Sequence, residues 1–181
     1  MKFNLSTINE IADLCRNTKM NDTEQKYHDF LTQIYESRSK FMLYVRDLYK
    51  GKRSFRVKNS DPGSDIFSCI VIDEKERPHM LTNALIHEYA HHIQFDYFPH
   101  DAPAHSTRFT IIFHCLFRMA EKKGLCTLPY KLSFLNKEIF GSNKKLFETL
   151  EVLPQEFSDI VYSSIEEKKA CDKQKEVCVI Q

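Results

Sequence analysis

The segment from Ile86 to Phe109, "IHEYAHHIQFDYFPHDAPAHSTRF", holds five of the chain's eight histidines within 24 residues. Its first part runs His87, Glu88, Tyr89, Ala90, His91, which is the pattern H-E-x-x-H. On a helix, positions i and i+4 lie on one face, so both imidazoles can reach a single ion. The segment therefore predicts a helix that presents a metal site.

Zinc is the metal that this pattern favours. It binds neutral imidazole, and a catalytic site takes three protein ligands plus a water molecule. Glu88 lies one position away from the two histidines and could remove a proton from that water, as a general base does. The alternative is a chance match of the pattern, which a chain rich in histidine produces in roughly a few per cent of cases. The apolar neighbours of the motif favour a helix that packs in a core: Leu85, Ile86, Ala90 and Ile93.

The third metal ligand has several candidates in the sequence. These are His92, His100, His105, His114 and a later glutamate. His92 points about 100° away from His91 around the helix, which predicts a surface or supporting role. His105 extends by one turn an apolar helical stripe, whereas His114 faces about 180° away from His105 and Glu121 about 160° away from the stripe. The stripe consists of Phe109, Ile112, Leu116 and Ala120. His105 is the preferred ligand, and His100, in the connecting loop, stays the alternative.

The rest of the chain predicts an α+β fold in which a small β-sheet packs on helices. The H-E-x-x-H helix is the active-site helix, and a second helix supplies the third ligand. The β-branched run "IFSCIVID" predicts a buried strand, and "SFRVKNS" a shorter one. Helices are predicted at 5–15, at 22–49 and at 75–95, the last of these beginning near Pro78. The second site helix is predicted to be capped by Asp101, to carry Pro103 in its first turn and to end at about Lys123, before Gly124. A less regular helical region is predicted at about 131–169.

Length and composition indicate one domain. Residues 1–169 form the predicted domain, its catalytic core covers about 54–123, and residues 170–181 are a predicted flexible tail.

The net charge of +1 argues against a nucleic-acid polycation. No apolar run reaches the ~20 residues of a membrane span, and the start lacks a signal peptide's apolar region, which predicts a cytoplasmic or intracellular protein. Six scattered cysteines without a C-x-x-C pair predict reduced thiols.

These motifs resemble the SprT-like (Spartan-type) zinc metalloprotease domain. That family carries a strand, H-E-x-x-H, and then a helix that opens with H-G-x-x-F, which here is "HSTRF" from His105 to Phe109. The resemblance covers about residues 54–120 and implies metal ligands at His87, His91 and His105 with Glu88 as the catalytic base. Ser106 stands at the family's glycine, and the zinc ribbon of many members is absent from this sequence. Metzincins are excluded because Gln94 and Tyr97 stand at their glycine and third histidine.

The resemblance implies protein substrates, including proteins associated with DNA. Between Arg38 and Lys58 there are eight basic residues against the single acid Asp47, with aromatic residues between them. Basic side chains bind phosphates and aromatic rings stack on unpaired bases. The candidate nucleic-acid contacts are Lys50, Lys52, Arg53 and Arg56. The alternative interpretation is a solvated charged face over aromatic residues that belong to the core.

The last four residues, Cys178 to Gln181, fit the C-a-a-X prenylation pattern, with lysines upstream. They predict a prenyl anchor at Cys178 only if the protein meets a eukaryotic prenyltransferase. The pattern is otherwise a chance match.

Two functions follow from the sequence. The first is a zinc-dependent metallopeptidase in which Glu88 activates water, with Tyr97 suggested as an oxyanion-stabilising group because it lies near the motif. The second is a non-catalytic protein that uses zinc for stability and binds DNA or a protein partner. A purely structural zinc site would be closed by a fourth protein ligand, such as His100, in place of water.

Overall fold

The computed structural model describes residues 19–48, 54–58, 66–100, 105–126 and 143–179. In this part of the chain it shows five helices and one three-stranded sheet, which confirms the α+β class. In chain order the elements are α1 (Asp22–Ile34), β1 (Lys40–Arg46), β2 (Phe55–Lys58), β3 (Ile66–Asp73), α2 (Pro78–Tyr97), α3 (Thr107–Lys122), α4 (Asn143–Leu150) and α5 (Gln155–Val179).

The sheet is mixed, with the strand order β1-β3-β2. β3 is its centre, pairing in parallel with β1 and antiparallel with β2. Cys69, Ile70, Val71 and Ile72 of β3 are all buried, so the strand is covered on both faces. This agrees with the continuous apolar run that predicted it.

The prediction of one helix over 22–49 is wrong in its second half. α1 ends at Ile34, and residues 40–46 form β1. Phe41 and Leu43 join the main core, while Tyr44 packs in a smaller cluster on the other face of the sheet. The apolar residues of this segment satisfy the two-residue period of a strand as well as a helical spacing. Pairing with the buried strand β3 decides between them, because local propensity yields to tertiary contacts.

Glu24 joins α1 to β1. It completes a capping box with Asn21 at the start of α1, and its Oε1 accepts hydrogen bonds from the backbone N–H of Val45 and from the guanidinium of Arg46. The residue is only 1% exposed. A buried carboxylate of this kind is tolerated because each oxygen has a donor.

The two site helices begin and end at recognisable signals. α2 starts with Pro78 in its first turn, as predicted. α3 is capped by Ser106, whose side chain accepts from the backbone N–H of Phe109, so the prediction of Asp101 as the cap is wrong. The serine hydroxyl supplies the acceptor that the first turn needs, one residue before the helix. Gly124 follows α3 with a positive φ of 68°, in agreement with the predicted end.

One core connects the sheet to the helices. The predicted apolar stripe of α3 is buried, and it belongs to the same cluster as the buried face of α2 and residues of β1 and β3. The members of α2 and α3 in this cluster that are fully buried include Ile86, Tyr89, Ala90, Ile93, Ile111, Ile112, Cys115, Leu116 and Ala120. α2 is therefore fixed on one side by the sheet and on another by α3.

Several predictions concern the ends of the chain and the cysteines. α5 continues through Val179, into the stretch predicted as a flexible tail, but the side chain of Cys178 is not described. The predicted helix at 5–15 lies outside the described residues.

Cys115 and Cys126 are free, whereas Cys69 is disulfide-bonded, so the expectation of reduced thiols is wrong for Cys69. None of the described helices is both long and apolar enough to cross a membrane.

The Glu24 contacts predict a large loss of stability in Glu24→Ala. The substitution leaves the Arg46 guanidinium and the Val45 amide without their carboxylate partner, which costs roughly 2–4 kcal/mol in the free energy of unfolding. Urea unfolding followed by circular dichroism measures it. Lys26→Ala, at an exposed position of the same helix, is the control and should change little. Equal effects of the two substitutions would contradict the structural role of Glu24.

Candidate metal centre

His87, His91 and His105 come together at one place in the fold. The first two lie one turn apart on α2, and His105 directly precedes the capping residue of α3. Their ligand nitrogens all lie within 4.8 Å of one another, and the Nε2 atoms of His87 and His105 are 3.2 Å apart. In a tetrahedral site with zinc–nitrogen bonds of about 2.0–2.1 Å, ligand nitrogens lie about 3.3–3.4 Å apart. The spacing of this pair therefore suits two ligands of one ion, and the group could hold a metal ion.

Phe109 packs against all three imidazoles. Its ring centroid lies 5.0 Å from that of His87, 4.2 Å from that of His91 and 4.9 Å from that of His105. The contact with His91 is stacked, and Phe109 itself is buried. This ring closes one side of the histidine group to water and restricts the rotation of its members.

The surroundings keep the two helix histidines neutral at pH 7. Burial lowers the pKa of His87 to about 4, with a smaller contribution from the charge of His105. Burial also lowers the pKa of His91 to about 3, helped by the charges of His87 and His105. A metal binds the neutral imidazole, so both residues have the protonation state that ligation requires.

Glu88 lies beside the histidines and is 6% exposed. Its Oε1 is 4.0 Å from the Nε2 of His87. Burial raises the pKa of its carboxyl to about 8, and a hydrogen bond from the backbone N–H of Arg56 opposes this rise. A carboxyl whose pKa is displaced toward neutrality inside a cleft is a candidate for proton transfer.

The histidine group opens into a cleft of about 1030 Å³ between β2 and α2. Its volume is at the upper end of ordinary ligand pockets. The lining combines apolar, polar and charged side chains, among them Phe55, Arg56, Glu76, Arg77, Met80, Asn83, Glu88 and Phe95. A ligand in this cleft would thus meet the histidines, Glu88 and the strand β2 together.

The other histidines take no part in this group. His100 is exposed and follows the end of α2. His92 is fully buried, with its Nε2 3.1 Å from the carbonyl of Ser39 and its Nδ1 2.7 Å from the hydroxyl of Ser68. Because a carbonyl only accepts, Nε2 carries the proton and Nδ1 accepts from Ser68. His92 therefore joins α2 to the sheet, which is a supporting role within the fold rather than at the surface.

His114 and Tyr97 lie away from the histidine group as well. His114 is buried and pairs with the hydroxyl of Ser164 on α5. The hydroxyl of Tyr97 is 2.8 Å from that of Tyr35, and Arg38 lies over its ring. Tyr97 does not line the cleft. The suggestion that it stabilises an oxyanion is therefore wrong, because its position ten residues after His87 carries it more than two helical turns away.

The predicted nucleic-acid contacts are only partly covered by the structure. Lys50, Lys52 and Arg53 lie outside the described residues. Arg56 lines the cleft, with its guanidinium carbon 4.6 Å from the centre of the Phe95 ring. Burial lowers its pKa to about 10, and the nearby charge of Asp96 opposes this effect. The structure thus places Arg56 at the candidate metal centre.

Two features of the centre are not predicted from the sequence. The hydrogen bond from the Arg56 backbone to Glu88 has no sequence signal, because every residue except proline carries an N–H group. Gln94 is completely buried, one turn after His91, and hydrogen-bonds Ser106. The sequence does carry a signal for a supporting role of Gln94, because this polar residue lies at helical spacing from His91 and such residues orient metal ligands.

No protein-family model matches this chain, and comparisons with curated proteins and with solved structures find no match either. The resemblance to SprT-like metalloproteases therefore rests on the H-E-x-x-H motif and the His105 segment. The geometry supports a site for a metal ion.

The geometry predicts which histidine completes the site. His105→Ala should bind much less zinc than the wild type after dialysis, because it removes one of three clustered nitrogens, whereas His100→Ala should retain the wild-type amount. Metal content is measured by atomic emission on protein whose folding is verified by circular dichroism. Full zinc retention in His105→Ala together with loss in His100→Ala would overturn the assignment.

The raised pKa of Glu88 predicts a pH-dependent stability in the metal-free protein. Between the unfolded pKa of 4.5 and the folded pKa of about 8, the folded state binds the proton more tightly, so this stabilising contribution is lost as pH rises through that window. Glu88→Gln lacks the titrating group. Its melting temperature relative to wild type should therefore increase from about pH 5 to about pH 9 in the presence of a chelator. A difference that is constant with pH would contradict the buried position of this carboxyl.

Proposed function

We propose that this protein is a zinc-dependent metallopeptidase that hydrolyses protein substrates. One observation carries the proposal: a group of three histidines with a buried glutamate beside it, facing an open cleft. Metal-assisted hydrolysis needs these parts, namely three protein ligands, a proton acceptor and access for the substrate.

The residues present fit zinc. Three imidazole nitrogens form a ligand set that zinc accepts readily, and this set leaves a position for water. His87, His91 and His105 would hold the ion, which when bound supplies a Lewis acid and a water molecule with a pKa lowered to about 7. The remaining chemistry is carried out by side chains of this chain.

Glu88 would move the proton. A carboxyl whose pKa lies near the working pH can accept a proton from the attacking water and later return it to the leaving amine. The hydrogen bond from the backbone N–H of Arg56 holds the Glu88 carboxyl against β2. Burial of Glu88 also keeps bulk water from competing for the proton.

The position of β2 favours a peptide as the substrate. β2 is a terminal strand of the described sheet, and Phe55 and Arg56 of this strand line the cleft. An extended peptide can add to such a strand through main-chain hydrogen bonds, whatever its side chains. This arrangement would lay a peptide bond across the mouth of the histidine group. The motif resemblance points to DNA-associated proteins as the particular substrates.

The non-catalytic alternative needs a closed metal site. Within the part of the chain that the structure describes, the group contains three histidines and no fourth histidine, cysteine or carboxylate ligand. Since a structural zinc site takes four protein ligands, the three-ligand group favours the catalytic proposal.

Glu88→Gln tests the proposal directly. It keeps the size and hydrogen-bonding capacity of the side chain but removes the proton acceptor, so zinc binding should persist while cleavage of an unfolded protein substrate falls at least ~100-fold. Glu76→Gln, which removes another carboxylate from the wall of the same cleft, is the matched control and should retain most activity.

The assay compares zinc-loaded and chelator-treated wild type, each with and without single-stranded DNA. Activity should require zinc in either condition. Failure of the zinc-loaded wild type to cleave in both conditions, together with full biological function of Glu88→Gln, would establish the non-catalytic alternative.

A further inference from the structure

A side-chain hydrogen bond joins the two helices that carry the metal ligands. The amide Nε2 of Gln94 on α2 donates to the hydroxyl of Ser106 at the start of α3, over 3.1 Å. Gln94 is 0% exposed, so this bond is shielded from water. Gln94 follows His91 by three residues, and Ser106 follows His105 directly. The bond therefore connects neighbours of two different ligands.

Ser106 is itself held firmly by α3. Its hydroxyl accepts from the backbone N–H of Phe109 over 3.3 Å, and its carbonyl accepts from the backbone N–H of Thr110 over 3.0 Å and from the Thr110 hydroxyl over 3.2 Å. Any constraint on Ser106 is thus transmitted both to the first turn of α3 and to the adjoining His105.

Gln94 is equally well located relative to α2. It lies in the buried middle of that helix, three residues after the candidate ligand His91, and its amide reaches the capping residue of the other helix.

His105 is the ligand that most needs such a constraint. His87 and His91 share one helix, so the helical geometry fixes their separation. His105 lies outside a helix and is exposed, so its place depends on how the start of α3 is held against α2. Metal bonds tolerate deviations of only about 0.2 Å.

We propose that the hydrogen bond between Gln94 and Ser106 positions His105 for metal binding. Gln94 and Ser106 are positioning residues, since the ligand nitrogens belong to the histidines. The inference deepens the proposed function by assuming its zinc site, but it does not depend on peptidase activity. The competing explanation is that packing of Phe109 between the helices suffices, with the hydrogen bond contributing only to folding.

Substitutions of Ser106 separate these explanations. Glycine is accepted at a helix cap nearly as well as serine, so Ser106→Gly should fold while losing the acceptor for Gln94. Ser106→Thr keeps a hydroxyl and the cap. Gln94→Met keeps an unbranched side chain of similar length in the buried site but removes the donor.

The measurement is zinc affinity of the full chain, obtained by competition with a chromophoric chelator. Ser106→Gly and Gln94→Met should each weaken binding by about tenfold or more, the usual effect of losing a group that orients a ligand, while Ser106→Thr stays near wild type. The double variant should be no weaker than the worse single variant, because both remove one bond. Asn21→Gly, which removes the cap of α1, a helix that carries none of the three histidines, is the control and should leave zinc affinity unchanged.

The absorption spectrum of the cobalt-substituted protein gives a second measurement, because its intensity reports the coordination geometry of the metal and does not depend on folding stability. Tetrahedral Co²⁺ absorbs more strongly than Co²⁺ of higher coordination, so the two weakened variants should lose intensity and Ser106→Thr should not. Wild-type zinc affinity and spectra in Ser106→Gly and Gln94→Met would overturn the inference and leave the proposed function standing. Equal weakening in Asn21→Gly would also overturn it, and a wild type that binds no metal would end both proposals.

Discussion

The packing of α2 between the sheet and α3 is the constraint on which the rest of the structure depends. Tyr89 and Ile93 are fully buried, and neighbouring positions face different partners. His92 bonds Ser68 and Ser39 of the sheet side, while His91 stacks on Phe109 of α3. A helix held on two sides can neither slide nor rotate without breaking buried hydrogen bonds, so the positions of its site residues are defined.

Burial has opposite consequences for the histidines and for Glu88 of the candidate centre. It favours neutral histidines, which suits a metal, but it also favours a protonated Glu88. A divalent cation beside Glu88 would favour the carboxylate, since a metal ion is the largest charge in such a site. Metal binding and the ionisation of Glu88 would thus support each other. The metal-free centre tolerates its polar groups because the fold supplies partners such as the Arg56 amide.

The sequence predicted the elements whose signals are local. α2, the end of α3 and the buried strand β3 follow from helical spacing, Pro78, Gly124 and an unbroken apolar run. The sequence predicts a helix where β1 lies because the apolar residues of this segment fit both periods, and only pairing with β3 separates them. The sequence predicts the cap of α3 at Asp101 because aspartate and serine can both cap a helix, and the contact between Ser106 and Gln94 forms only when α2 lies alongside.

The sequence by itself determined the candidate ligand pair His87 and His91 and the place of Glu88 between them, because all three lie within five residues of one helix and helical geometry fixes their relation. It also made His105 the preferred third member through the stripe of α3. Only the tertiary structure decided that His105 reaches the pair and His100 does not, that Tyr97 faces away, and that Arg56 adjoins Glu88. Those relations join residues on separate elements, and their distances depend on how the helices and the sheet pack, which no local spacing encodes.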